Sequence, residues 1–203
     1  MKIQTEPFRK VSDGTAAEIC ARVDLSAEAR AFLLPNSSPQ GFLALLVDAG
    51  QIGDAVRFLA FALPIREGVW WACVVVHGNL ARPGEVEALC LDRSASWVYE
   101  PTDSHRRACM SAAESANFDG AAAYAALAAF WSGGSMAPPN MPDALPDPKL
   151  GPIGVGASVL LSITAGDPKL LSERFKTAIV RGVDIANGGN GHLEGDRAIG
   201  AQR

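Results

Sequence analysis

The side chains in this sequence that are equipped for chemistry are three histidines, four cysteines and a few carboxylates set beside arginines. His105 follows Asp103 by two residues and adjoins Arg106 and Arg107, an arrangement that suits a general base oriented by a carboxylate. Upstream, Arg66 and Glu67 border the pair Trp70-Trp71, and a charge at the edge of a buried aromatic cluster ordinarily has a partner. If Arg66, Glu67, Trp71, Asp103, His105 and Arg106 met in one concavity, the protein would read as a small hydrolase or ligand-binding enzyme. The same residues also have plainer roles. Asp103 precedes Arg106 and Arg107 by three and four residues, the favourable order for ion pairs in a first helical turn. His77 ends an apolar run, and His192 falls in a polar tail.

No GxSxG, no GxGxxG after a strand and no GxxxxGK[ST] occurs. Ser132-Gly133-Gly134-Ser135 follows a helical segment, whereas phosphate-binding loops precede one. Cysteines 20, 73, 90 and 109 stand singly in apolar surroundings without CxxC spacing, so buried, reduced thiols are expected, with no metal and no cofactor. A net charge of -4 without a basic stripe argues against a nucleic-acid partner. The first residues, MKIQTEPFRKVSDG, lack the apolar core of a secretory signal, and with the reduced thiols this suggests a cytoplasmic protein. The uncharged run GVWWACVVVHGN, residues 68 to 79, falls short of the roughly 20 apolar residues that span a bilayer.

Positioning such residues falls to helices throughout. Thr15-Ala16-Ala17-Glu18 is a capping box opening an Ile19/Val23 face. Ser26 caps a helix carrying Ala29, Phe32 and Leu33, and Ser38-Pro39 starts another that Gly50 stops. Ile52, Val56, Leu59 and Leu63 form the next stripe, ended by Pro64. Between helical neighbours a lone strand would leave both edges unsatisfied, so residues 65 to 77 read as a central helix. Trp70 and Trp71, about 100° apart on it, cannot share a face.

A helix after Pro83 carries Val86, Leu89, Cys90 and Trp97, and one capped by Thr102 turns Ala108, Cys109, Ala112 and Ala116 inward. GAAAYAALAAFWSGGS follows, closed by Gly133-Gly134. The proline-rich stretch from 136 reads as an extended strap. Leu150 to Ala165 is mostly apolar. In the last helix Leu171, Phe175, Ala178, Gly182 and Ile185 face inward and Glu173, Lys176, Thr177, Arg181 and Asp184 outward. From Asn187 the glycine- and asparagine-rich tail reads as disordered in isolation.

The expected class is all-α, a compact array of about eight to ten short helices packed as hairpins around the Trp-Trp helix. Residues 1–135 would form the helical domain, 136–149 the strap, 150–187 a C-terminal helical hairpin packed on the same domain, and 188–203 the tail.

Three stretches, DAVRFLAFALPIREGVWWACVVV, WVYEPTDSHRRACMSAAE and YAALAAFWSGGSMAPP, in this order and followed by a final helical pair, resemble an uncharacterised family of bacterial helical domains. That family typically reads DAVRFLA-ALP-REAVWWA, DPT-E-RR-A-M-AAE and LA-A-FWSGGSLAPP. This chain departs from it at Tyr99-Glu100 before the proline and at Gly68, where alanine is usual. The resemblance implies a setting among type VI secretion components, including PAAR-like spike tips and their adaptors, and transfers no catalytic residue.

The expected function is therefore a non-enzymatic adaptor or chaperone-like accessory that binds another protein, such as a secretion effector, a spike-tip protein or its adaptor. Because tryptophan and arginine dominate interface hot spots, Arg66, Glu67, Trp71, Arg106 and Trp131 are the expected partner-binding residues. The enzyme with a pocket near Arg66, Trp71 and His105 is the alternative.

Overall fold

The computed structural model describes residues 7–194 and 196, apart from Ala81 and Pro139. Its helices are α1 (Ala16–Cys20), α2 (Ala27–Arg30), α3 (Pro39–Asp48), α4 (Ile52–Ala62), α5 (Ile65–Asn79), α6 (Glu85–Tyr99), α7 (Asp103–Ser115), α8 (Gly120–Phe130), α9 (Leu150–Thr164) and α10 (Leu171–Ala186), with a 3₁₀ turn at Pro168–Leu170. No strand occurs among the described residues, and the class is all-α.

The helix starts follow local chemistry. Thr15 Oγ1 accepts from the Glu18 amide at 3.4 Å while Glu18 Oε2 accepts from Gly14 at 2.8 Å, which satisfies amides that a helix start leaves unpaired. Ser26, Ser38 and Thr102 accept in the same way from Ala29, Gly41 and His105. Asn117 and Phe118 take left-handed conformations that bend α7 sharply into α8.

α5 is central, in contact with α6, α8, α9 and α10. Trp71 is wholly buried in it, and its indole N–H donates to the Ala178 carbonyl of α10 at 2.8 Å. α10 can approach this closely because residue 182 is glycine: a Cβ there would lie 2.6 Å from Leu59 and 2.9 Å from the Trp71 ring. α9 is as central as α5, lying against α8, α5 and α4. The alanines of α8 meet α9 at Gly154, where a Cβ would stand 3.1 Å from the Ala128 backbone. α9 and α10 meet across a bend of 118°.

Four features differ from the expectations. α2 stops at Arg30, where the amides of Phe32 and Leu33 bond the carbonyls three residues back, Ala29 and Arg30, so that Phe32 and Leu33 lie beyond the helix. Val86 is exposed, since the buried face of α6 passes through Cys90, Leu91 and Trp97. Arg181 faces inward, 5% exposed, because Gly78 on α5 leaves room for its guanidinium and the chain beyond α10 supplies its partners. The described part of the tail is accordingly tied down: Asn190 accepts from Trp70, Gly191 and Asp196 accept from Arg181, and His192 packs against the Trp70 ring. Residue 195 and residues 197–203 of the expected flexible tail lie outside the described residues.

Candidate functional site

The residues singled out for catalysis do not converge. The Arg66 guanidinium is taken by the carbonyls of Val98 and Tyr99 at the end of α6. Glu67 pairs with Lys10 at 3.3 Å. His105 Nδ1 lies 2.8 Å from the Glu100 carbonyl of its own helix start. Trp71 points the other way, into α10. None of these residues, nor Asp103 or Arg106, lines either of the two grooves described below.

Asp103 instead anchors a clamp. Its Oδ1 accepts from Arg106 at 2.6 Å and its Oδ2 from Arg107 at 2.8 Å, and these bonds hold its carboxyl below the ordinary range. Arg106 is 4% exposed and stacks on the Phe130 ring. It donates to the carbonyls of Phe130 at 2.9 Å and Ser135 at 2.8 Å, while Arg107 donates to that of Ala137 at 3.0 Å. The two arginines thus fasten Ser135 and the start of the strap that follows it to α7. At the head of the strap, Ser135 Oγ accepts the amides of Ala137 and Ala144 at 3.1 and 3.0 Å, and Met136 N–H reaches the Ala144 carbonyl at 2.8 Å. Two of the expected partner-binding residues are accordingly corrected: Trp71 and Arg106 are interior, the first because α10 covers it and the second because Phe130, Gly134 and Ser135 do.

The tail has its own post. Arg181 donates to the Gly191 carbonyl at 2.9 Å and to both oxygens of Asp196, the Nη2–Oδ1 bond being 2.7 Å. That pairing pulls the Asp196 carboxyl well below the usual range. Trp70 donates to the Asn190 carbonyl at 2.8 Å and meets Tyr99 and His192 edge to face at 5.7 Å.

Two grooves open along α9. The first, about 560 Å³, has an apolar floor of Phe61, Ile153 and Leu160 and a wall of residues 22–26. That wall is firmly held, since Arg30 donates to the carbonyls of Val23 at 2.9 Å and Leu25 at 3.3 Å. From α4 the buried Asp54 accepts the Ser26 amide at 3.0 Å and hydroxyl at 2.9 Å. The second, about 320 Å³, lies between Ile65, Trp131, Leu145, Pro146 and Pro148. The two meet at Pro152, beside which Ile153 is 50% exposed and Leu145 of the strap 71%. Of the expected contact residues, Trp131 lines the second of these grooves. Sequence reasoning missed Phe61, Ile153 and Leu160, because a helix as apolar as α9 reads as wholly buried, and only the fold shows which part of its surface its neighbours leave open.

The thiols offer no chemistry. All four cysteines are free and buried, and burial pushes Cys109 up to about 12, Cys90 up to about 11, and Cys73 and Cys20 upward as well. Among the described residues no cluster of three or more histidine, cysteine, aspartate or glutamate side chains is placed to hold a metal ion. No single described helix is long and apolar enough to cross a membrane.

Residues 42–186, more than two thirds of the chain, match the model of a family described as a family of unknown function (DUF6931). No curated protein matches, and no solved structure does.

Proposed function

The chain belongs to that family of unknown function, and we propose that it is a non-enzymatic accessory protein that holds another protein against α9. The observation that carries this reading is the run of open apolar surface from Leu160 through Ile153 and Pro152 to Trp131 and Leu145. Leaving such side chains in water costs about 25 cal/mol per Å², and a contiguous apolar strip on an otherwise well-packed body favours a contact role. The firm attachment of its walls supports the reading as well, because a preorganised surface loses little entropy on binding. The surroundings of Asp103 and His105 favour a structural clamp over acid–base work, since both groups are spent on local hydrogen bonds. The motifs around Trp70-Trp71 and Trp131 add the setting: a cytoplasmic adaptor or chaperone-like protein for type VI secretion effectors or spike components.

A photo-crosslinking amino acid at Ile153, with one at Lys176 on the outer face of α10 as control, tests this in the native host. A discrete adduct with another protein from Ile153, lost when Leu160→Asp is added, is the expected result. Adducts no more frequent at Ile153 than at Lys176 would refute the binding reading. Adducts containing neither effector nor secretion components would refute the setting alone.

A further inference from the structure

The charges around the first groove specify what chemistry its occupant carries. The chain as a whole is net -4, yet this groove is lined by Arg22, Arg57 and Lys149 against the single carboxylate of Asp24. Two of the three cations are partly engaged. Arg22 pairs with Asp13 at 2.8 Å, and Arg57 pairs with Asp54 at 3.5 Å. Asp54, however, is already committed to both Ser26 donors, so the half-exposed Arg57 keeps most of its fork turned to the groove and solvent. The Lys149 ammonium has no partner among the described residues.

The floor has a helical repeat. Pro152, Ile153, Gly156, Ala157 and Leu160 form one stripe of α9 in which members are related by i+3 and i+4, over about 12 Å of axis, or two helical turns. Phe61 on α4 faces the same space. Lys149 stands four residues before Ile153, and Arg57 four before Phe61, so each cation is one turn from an apolar contact. A partner helix laid along α9 would set apolar residues at i, i+3 or i+4, and i+7 on this floor and its flanking carboxylates beside Lys149 and Arg57.

We infer that the α4–α9 groove receives a two-turn amphipathic helix of the partner protein whose apolar stripe is flanked by acidic residues. The inference rests on the protein-binding reading above. Charge complementarity separates this occupant from a basic or neutral helix.

The probes are two synthetic helical peptides with the same leucine stripe, one flanked by glutamates and one by lysines, titrated by fluorescence anisotropy against the full chain at low and at physiological salt. The acidic peptide is expected to bind, more weakly at higher salt, and the basic one at least about tenfold more weakly. Lys149→Glu should weaken the acidic peptide about fivefold and strengthen the basic one. Ile153→Asp should abolish both, with circular dichroism melts confirming that each variant stays folded. Equal binding of the two peptides, binding unaffected by Lys149→Glu, or no binding of either would overturn the inference. Each of those results leaves the Ile153 crosslinking test of protein binding to stand or fall separately. Self-association of the chain in sedimentation, lost with Ile153→Asp, would assign the groove to a second copy and overturn it too.

Discussion

The strap and the tail are both non-helical segments fastened to the helical body by a buried arginine, but the carboxylates that neutralise those arginines come from different places. Arg106 is paired within its own helix by Asp103, and Ser135, at the head of the strap, adds only a carbonyl to it. Arg181 finds its carboxylate on the tail itself, at Asp196, and its carbonyl partner there too, at Gly191. Arg106 is thus a post that exists before the strap arrives. Arg181 becomes a tolerable buried charge only when the tail is in place, so the tail is structural in a sense the strap is not.

The largest expected consequence is an asymmetry between two deletions. A chain ending at Asn187 strips the interior guanidinium of Arg181 of both Asp196 and Gly191, and should lose about 3 kcal/mol or more in urea denaturation. Arg181→Met in the same shortened chain should recover part of that loss, because it removes the uncompensated charge. Excising residues 137–143 and joining 136 to 144 through two glycines should cost about 1 kcal/mol or less, since Met136 and Ala144 are already hydrogen-bonded neighbours and Arg106 keeps Asp103 and Phe130. Equal losses would break the comparison.

Acid sharpens it next. Both Asp103 and Asp196 have folded-state values below the ordinary carboxylate range, each through its arginines. A depressed carboxyl contributes stability that is present above its unfolded value, about pH 4, and is lost as pH falls through the folded value. Asp103 is mostly exposed and screened, whereas Asp196 is largely covered and pairs with an interior arginine. Asp196→Asn should therefore flatten the fall in stability below about pH 4 much more than Asp103→Asn, as read from denaturation at stepped pH.

The same contrast explains what the sequence made legible. The Asp103 clamp is readable because its partners lie at i+3 and i+4, and the helices are readable because caps and apolar stripes are local patterns. Arg181 was misassigned because an amphipathic wheel knows only its own helix. The space for it is made by Gly78 of α5, about a hundred residues away, and its charge is met beyond the helix end. The α4–α9 groove was illegible for a related reason: its wall, floor and cations come from residues 22–26, 57–61 and 149–160, which only the fold brings together. Gly68, where the resembling motif carries alanine, has a comparable tertiary cause, since a Cβ there would press to 3.3 Å on Val155 of α9.

The smallest expected effect separates the two segments by the way they are held at their outer contacts. His192→Ala removes one edge-to-face contact from Trp70 but leaves the indole bonded to Asn190 and the tail tied to Arg181. It should cost about 0.5 kcal/mol, with a slight red shift of tryptophan emission as water reaches the ring. Ser135→Ala at the head of the strap orphans two amides at once, Ala137 and Ala144, each beside solvent that can take over the bond. Its cost should be near 0.5 kcal/mol as well, but its signature is different: faster amide exchange confined to residues 135–144 and unchanged tryptophan emission. Exchange that instead rises across α7 and α8 would mean that the strap, like the tail, is needed to keep its arginine in place.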